Sequence, residues 1–327
     1  MALQTRLTRA FGIRHPIVLA PMDPASGGEL AAAVSAAGGL GLIGGGYGDR
    51  EILEAEFAKA GNERVGYGFI TWSMAKNPVL LDLALAHKPA AMMLSFADPR
   101  PFAEKIHAAG VPLICQVHNL EHARIALAAG AAVLVAQGTD AGGHGLTTRG
   151  TISFVPNVVD LVARERPEVL VLAAGGIADG RGIAAALMLG ADGVLLGTRF
   201  WATQEALIHP AAKARVVAAT GDETVRTSVY DIVRNRIWPR GYNGRLMRNA
   251  FIETWLGREN ELRARVDAER KAVEAADDSG DYDVSNVTVG EAIGLIQDLP
   301  PAGELVQRLV TQAEARLASV TRSVITN

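Results

Sequence analysis

Ala132-Val-Leu-Val-Ala136-Gln137-Gly-Thr-Asp-Ala-Gly-Gly-His-Gly145 joins a short apolar run to a glycine-rich segment that carries one imidazole. The run is too short for a stable helix and contains β-branched residues, which favours a buried strand. His144 therefore sits among glycines just beyond the C-terminal end of a strand, where parallel α/β proteins place their chemistry. A histidine in that setting adds nothing to a core. The plain alternative is a flexible turn with an incidental histidine.

The same alternation repeats on both sides. Apolar runs at Ile17–Ala20, Leu40–Ile43, Val65–Ile70, Ala90–Ser95, Pro112–Val117, Ala132–Gln137, Val169–Ala174 and Gly193–Gly197 read as strands. Between them lie helical patterns at Glu29–Ala37, Arg50–Ala60, Pro78–Ala86, Phe102–Ala109, Glu121–Ala129, Pro156–Arg164 and Arg181–Leu189. Asp49 is placed to cap the second, and Gly38, Gly61, Gly110, Gly130 and Gly190 act as stop signals. Strand–helix periods of about 25 residues, apolar enough to be buried on both faces, predict a closed (β/α)8 TIM barrel. An open doubly wound sheet is the alternative.

Beyond Gly197 the pattern changes. Residues 205–287 carry Trp238, Trp255 and charged helical stretches such as Leu256–Ala276, and read as a mostly helical lid inserted late in the chain. The acidic run Asp277–Asp283 lacks the closing glutamate of a calcium loop and reads as a solvated linker. Amphipathic segments at Gly290–Ile296 and Ala302–Val320 are expected to return to the barrel. The domains are thus 1–204 with 288–327, and 205–287.

Composition narrows the function. The chain has 327 residues, 49% apolar and 20% charged, with a net charge of −3. No basic run suggests nucleic acid. No apolar stretch reaches the roughly 18 to 20 residues of a membrane span, and the first residues lack a signal-peptide core, so a cytoplasmic location is expected. The single Cys115 rules out an internal disulfide, and its apolar surroundings predict a buried, inert thiol.

Several motifs could bear chemistry. In a barrel, the loops after the seventh and eighth strands form the usual phosphate cradle. Here they read Ala173-Ala-Gly175-Gly176-Ile177, with Asp179 capping the next helix, and Leu196-Gly197-Thr198-Arg199. Glycine lets backbone N–H groups approach phosphate oxygens, and ordinary turn glycines are the bland reading. A Gly-x-Gly-x-x-Gly at Gly39, Gly41 and Gly44 is out of place for dinucleotide binding, because its apolar residues are themselves the strand. His118 and His122 lack a third ligand and read as a solvated or capping pair, so no metal site is expected. Glu121 and Asp140 are acid–base candidates only by residue type. Tyr230, Trp238 and Tyr242 are pocket candidates by chemistry alone.

Four segments resemble the nitronate monooxygenase (2-nitropropane dioxygenase) family, FMN-dependent barrels with a late substrate domain. They are Leu19-Ala-Pro-Met22, Ala136–Gly145, Ala173–Ala191, and Gly193-Val-Leu-Leu-Gly-Thr-Arg-Phe200. The second matches the family's Glu-Ala-Gly-Gly-His hallmark most specifically; Trp238-Pro239, Asn249 and Trp255 resemble its substrate domain. The resemblance implies that His144 is the catalytic base and that Pro21 and Met22 lie against the flavin. Gln137 and Gly143 would lie near the ring, while Gly175, Gly176, Gly197 and Thr198 would offer N–H groups to the FMN phosphate. It implies oxidation of alkyl nitronates by O2 to a carbonyl compound and nitrite. The partners would be a small molecule and O2, with a homodimer left open. Two departures stand out. Gly68 occupies the place of an asparagine that contacts the flavin, so those contacts are expected to be rearranged, through Thr71. The hallmark's glutamate is Asp140, and the loop is one residue shorter after His144. NAD(P)H-dependent reduction of quinones or enoyl thioesters, and a non-catalytic flavin- or phosphate-binding barrel, are the alternatives.

Overall fold

The computed structural model describes residues 3–324, with side chains to residue 319. Eight parallel strands form one sheet: β1 (Ile17–Leu19), β2 (Leu42–Gly44), β3 (Gly66–Ile70), β4 (Met92–Ser95), β5 (Leu113–Val117), β6 (Val133–Gln137), β8 (Leu170–Ala174) and β9 (Gly193–Leu196). A short strand, β7 (Gly143–Gly145), leaves the sheet between β6 and β8. The strand order is β1-β9-β8-β6-β5-β4-β3-β2. A parallel bridge between Val18 and Leu40 brings its two edges together, with Leu19 N–H donating to Leu40 O at 2.9 Å. The sheet is a barrel, and the doubly wound alternative falls.

Alternation along the strands sorts the core into two layers. Val18, Leu42, Met93, Ile114, Val133, Val135, Leu172 and Leu195 pack together inside the barrel. Their neighbours Leu19, Ile43, Met92, Leu94, Leu134 and Val194 pack outward against the helices. A helix at Arg6–Phe11, which no strand–helix period foretold, places Leu7 and Phe11 in the inner cluster. Gly41 shows how tightly the layers meet: a Cβ there would lie 1.9 Å from the Ala31 carbonyl oxygen. The Gly-x-Gly-x-x-Gly pattern is therefore met here by close helix–strand packing.

The barrel helices follow the sequence closely, with one exception. The helix expected to start at Pro156 runs from Thr151 to Glu165. Its first turn is capped from a distance, since Asp140 Oδ2 accepts the Thr151 N–H at 2.6 Å. The long helix Ala302–Val324 packs against the helices Gly180–Met188 and Gly28–Ala36, as the returning C-terminal segment requires. Ahead of that helix in the chain, Glu291–Leu295 forms a 3₁₀ turn.

Residues 205–287 are less helical than the sequence suggests. β10 (Thr224–Thr227) and β11 (Asn243–Met247) form an antiparallel sheet with β7, in the order β10-β11-β7. Helices at Val229–Val233, Ala250–Trp255, Glu259–Ala264 and Val266–Ser279 cover it, with Tyr230, Leu246, Phe251, Ile252, Trp255 and Val273 as their core. The expected linker at Asp277–Asp283 is tied down: Asp277 pairs with Arg234 at 2.9 Å and Asp283 with Arg215 at 2.8 Å. Among the described residues no helix is long and apolar enough to cross a membrane. Cys115 is buried, and that burial pushes its thiol up.

Candidate active site

A cavity of about 650 Å³ opens at the C-terminal ends of the barrel strands, between them and residues 205–292. That size suits a cofactor or other small organic ligand. The sequence-predicted residues Pro21, Met22, Gly68, Gln137, Gly143, His144, Gly175, Gly176, Gly197 and Thr198 all line it. The structure thus gathers side chains and backbone from β1, β3, β6, β8 and β9 around one space.

His144 is not on a free loop. It lies in β7, in register with Gly244 of β11, and its ring stacks on Trp238 at 3.5 Å between centroids and 6° between planes. Its Nε2 faces both carboxylate oxygens of Asp231, at 2.9 and 3.1 Å. The loop beneath is clamped by two arginines. Arg226 donates to the carbonyls of Thr139 (3.0 Å), Ala141 (3.3 Å) and Asn243 (2.9 Å), and Arg245 donates to Thr139 O at 3.1 Å while pairing with Glu291 at 2.7 Å. Burial, reinforced by nearby Arg245, lowers the Arg226 guanidinium to about 10.

Gln137 is held by a relay behind the cavity. Its Oε1 accepts from Gln116 Nε2 at 2.5 Å and from His118 Nε2 at 2.6 Å, and Tyr242 Oη donates to His118 Nδ1 at 3.3 Å. Among the described residues no acceptor meets the Gln137 amide nitrogen, which leaves its two hydrogens for a ligand. Burial pushes His118 down to about 3, so it works as a neutral donor. Of the solvated or capping pair expected, His118 is neither, being buried behind Gln137; His122 is half-buried, and its N–H is capped by Asn119. Among the described residues no group of three or more His, Cys, Asp or Glu could hold a metal.

Glycine geometry accounts for the wall under Pro21. A Cβ on Gly68 would lie 2.1 Å from Pro21 Cγ, so no side chain fits there unless β1 moves. The position expected to contact a ligand through asparagine instead lets Pro21 close over β3. Thr71 offers no substitute, because it is buried away from the cavity. At the ends of β8 and β9, no backbone acceptor among the described residues meets the N–H groups of Gly176, Gly197 or Thr198. Asp179, by contrast, caps its own helix through the N–H groups of Arg181 and Gly182, which leaves that helix start taken.

Other candidates separate cleanly. Asp140 serves as the cap described above and does not line the cavity; Glu121 is exposed outside it. Trp238 and Tyr230 line the cavity, whereas Tyr242 stands behind it through His118. Asp23 opens onto the cavity yet is hemmed in by protein, and that loss of water pushes its carboxyl up despite nearby Arg236. Asp231 was missed, since nothing in the sequence distinguishes it among 35 acidic residues.

A sequence model of the nitronate monooxygenase family matches residues 4–63 and 70–312. The chain belongs to the nitronate monooxygenase family. It is 36% identical to a nitronate monooxygenase from Neurospora crassa, covering 94% of this chain and 91% of that protein. The solved structure of FabK from Thermotoga maritima superposes with a TM-score of 0.86 at 29% identity, covering 99% of this chain and 100% of that one. Nitroalkane oxidase from Streptomyces ansochromogenes gives a TM-score of 0.77 at 26% identity, with 96% and 100% covered. The family makes this chain an oxidoreductase of nitronate monooxygenase type, and its barrel matches both solved structures.

Proposed function

We propose that the cavity binds FMN and that the enzyme oxidises alkyl nitronates, and neutral nitroalkanes by way of His144, with O2, to carbonyl compounds and nitrite. The observation that carries this reading is the convergence in one cavity of His144 with the unpaired N–H groups of Gly176, Gly197 and Thr198. Those N–H groups suit a phosphate. The free amide hydrogens of Gln137 suit the carbonyl and nitrogen acceptors of an isoalloxazine, and the flat wall of Pro21 over Gly68 suits its face. The residues present therefore fit FMN.

Bound FMN supplies the electron transfer and the reaction with O2. The chain supplies the rest. Gly176, Gly197 and Thr198 would hold the phosphate, and Pro21, Met22 and Gln137 would orient the ring. His144 takes the α-proton of a neutral nitroalkane, or donates a hydrogen bond to the nitro group of a substrate already ionised. Trp238 covers the ring of His144 and keeps water from one face of it.

The test pairs FMN titration of the apoprotein with oxygen uptake by the His144→Ala variant. Saturable FMN binding is expected, with a loss of about 10²-fold or more on neutral nitroalkane and a smaller one on preformed nitronate. Failure to bind FMN would overturn the cofactor assignment. Equal losses on the two substrates would assign His144 to binding instead of proton transfer.

A further inference from the structure

We propose that Asp231 is a positioning residue for His144: its carboxylate keeps the ring proton on Nε2 and leaves Nδ1 as the nitrogen that accepts the substrate proton. This rests on the reading of His144 as a base. The geometry that carries it is the close approach of both Asp231 oxygens to Nε2, at 2.9 and 3.1 Å. A carboxylate accepts only, so the shared proton belongs to the imidazole and the tautomer is set. Among the described residues Nδ1 has no hydrogen-bond partner, while the residue lines the cavity.

The surroundings make Asp231 available for this task. Its side chain is only 13% exposed, and that of His144 20%. A carboxylate so enclosed needs a partner, since burying an unpaired charge is costly. The arginines nearest in sequence are engaged elsewhere: Arg234 pairs with Asp277 at 2.9 Å, and the Arg236 guanidinium lies 3.6 Å over the Tyr47 ring. His144 is the group that faces Asp231. Trp238 stacks on one face of the imidazole, and Gly244 lies beside it, where a Cβ would make ordinary contact 3.7 Å from Cε1 and Nε2. Asp231 and Trp238 both come from the inserted region, whereas His144 follows a barrel strand, so the pair spans the two parts of the site.

The step is a proton transfer. The substrate Cα–H bond breaks, its proton moves to the Nδ1 lone pair, and the electron pair forms the C=N bond of the nitronate as negative charge settles on the nitro oxygens. The resulting imidazolium stays hydrogen-bonded through Nε2–H to the Asp231 carboxylate, which stabilises the new positive charge. A preformed nitronate has already lost that proton and does not need the step. A purely structural tie between insert and barrel would make no such distinction between substrates.

The FMN-loaded wild type and its Asp231→Asn and Asp231→Glu variants test the pair, with kcat/KM measured for nitroethane and for ethyl nitronate. Asparagine can offer its amide hydrogens to Nε2 and so favours the opposite tautomer. The expected result is a loss of about 10²-fold or more on nitroethane, carried by kcat, against a much smaller loss on the nitronate. Asp231→Glu should recover part of it. Nitrogen-15 NMR of labelled histidine should show His144 as the Nε2–H tautomer in the wild type and as Nδ1–H in Asp231→Asn. Equal losses on both substrates, or an Nδ1–H tautomer in the wild type, would overturn the proposal. The spectrum judges the pairing even in a protein that oxidises neither substrate, so its failure and that of the proposed function are read separately.

Discussion

His118 shows how a residue type can be legible while its role is not. From sequence it is one of two histidines four apart with no third ligand, a pattern that argues against zinc. In the fold it is enclosed behind Gln137, where burial holds its imidazole down at about 3. The consequence for stability has a definite sign. Between the ordinary histidine value near 6.5 and about 3, the unfolded chain binds a proton that the native chain does not. Stability contributed by this site is complete above about pH 6.5 and falls as the pH drops, with a limiting slope of about 1.4 kcal/mol per pH unit. Urea unfolding from pH 7.5 to 4.5 should show a shallower decline in His118→Gln than in the wild type. Identical slopes would mean that His118 is protonated in the native protein. The same contrast holds for His144 and Asp231. His144 stood out because glycines surround it, and it lines the cavity as expected; Asp231 lies 87 residues away in sequence with no local signal. Gly68 could be named, but only the close approach of Pro21 explains why no side chain stands there.

At the scale of elements, the barrel's strands and helices could be read almost throughout, because each strand is a short apolar run buried on both faces and each helix buries one. The inserted region resisted the same reading. β7, β10 and β11 are three to five residues long, and two of them pair across a wide gap in sequence, so no local alternation reveals them. Their sheet also places Arg226 directly opposite Arg245, a repulsive cross-strand pair on its own. The carbonyls of Thr139, Ala141 and Asn243, together with Glu291, offset that repulsion and fix the loop that leads into β7. Arg226→Met should therefore leave the barrel folded while freeing this loop. The expected stability loss is about 1–3 kcal/mol from carbonyls left without donors. Hydrogen exchange should quicken at Ala141–Gly145 and remain slow in β4 and β5. Unchanged exchange in the loop would show that Arg245 alone suffices.

Across the whole molecule, a closed parallel barrel puts the ends of its strands on one rim, and this is why residues from β1, β3, β6, β8 and β9 share a cavity. The barrel and its closure could be inferred from the repeat of strand and helix; the residues that close it, Val18 and Leu40, could not, since that bridge lies just outside the regular part of β2. The inserted region completes the site by setting Asp231 and Trp238 against His144. Family membership makes the chain an oxidoreductase of nitronate monooxygenase type. The central claim is that this cavity serves nitronate oxidation on FMN, not reduction at the expense of a nicotinamide. The most direct measurement is oxygen uptake by the FMN-loaded enzyme with propionate 3-nitronate, run beside NADH and NADPH oxidation with a quinone acceptor. Rapid nitronate-dependent oxygen consumption with nitrite release and slow nicotinamide oxidation are expected; fast NAD(P)H turnover with no nitronate-dependent uptake would contradict nitronate oxidation as the function of this cavity.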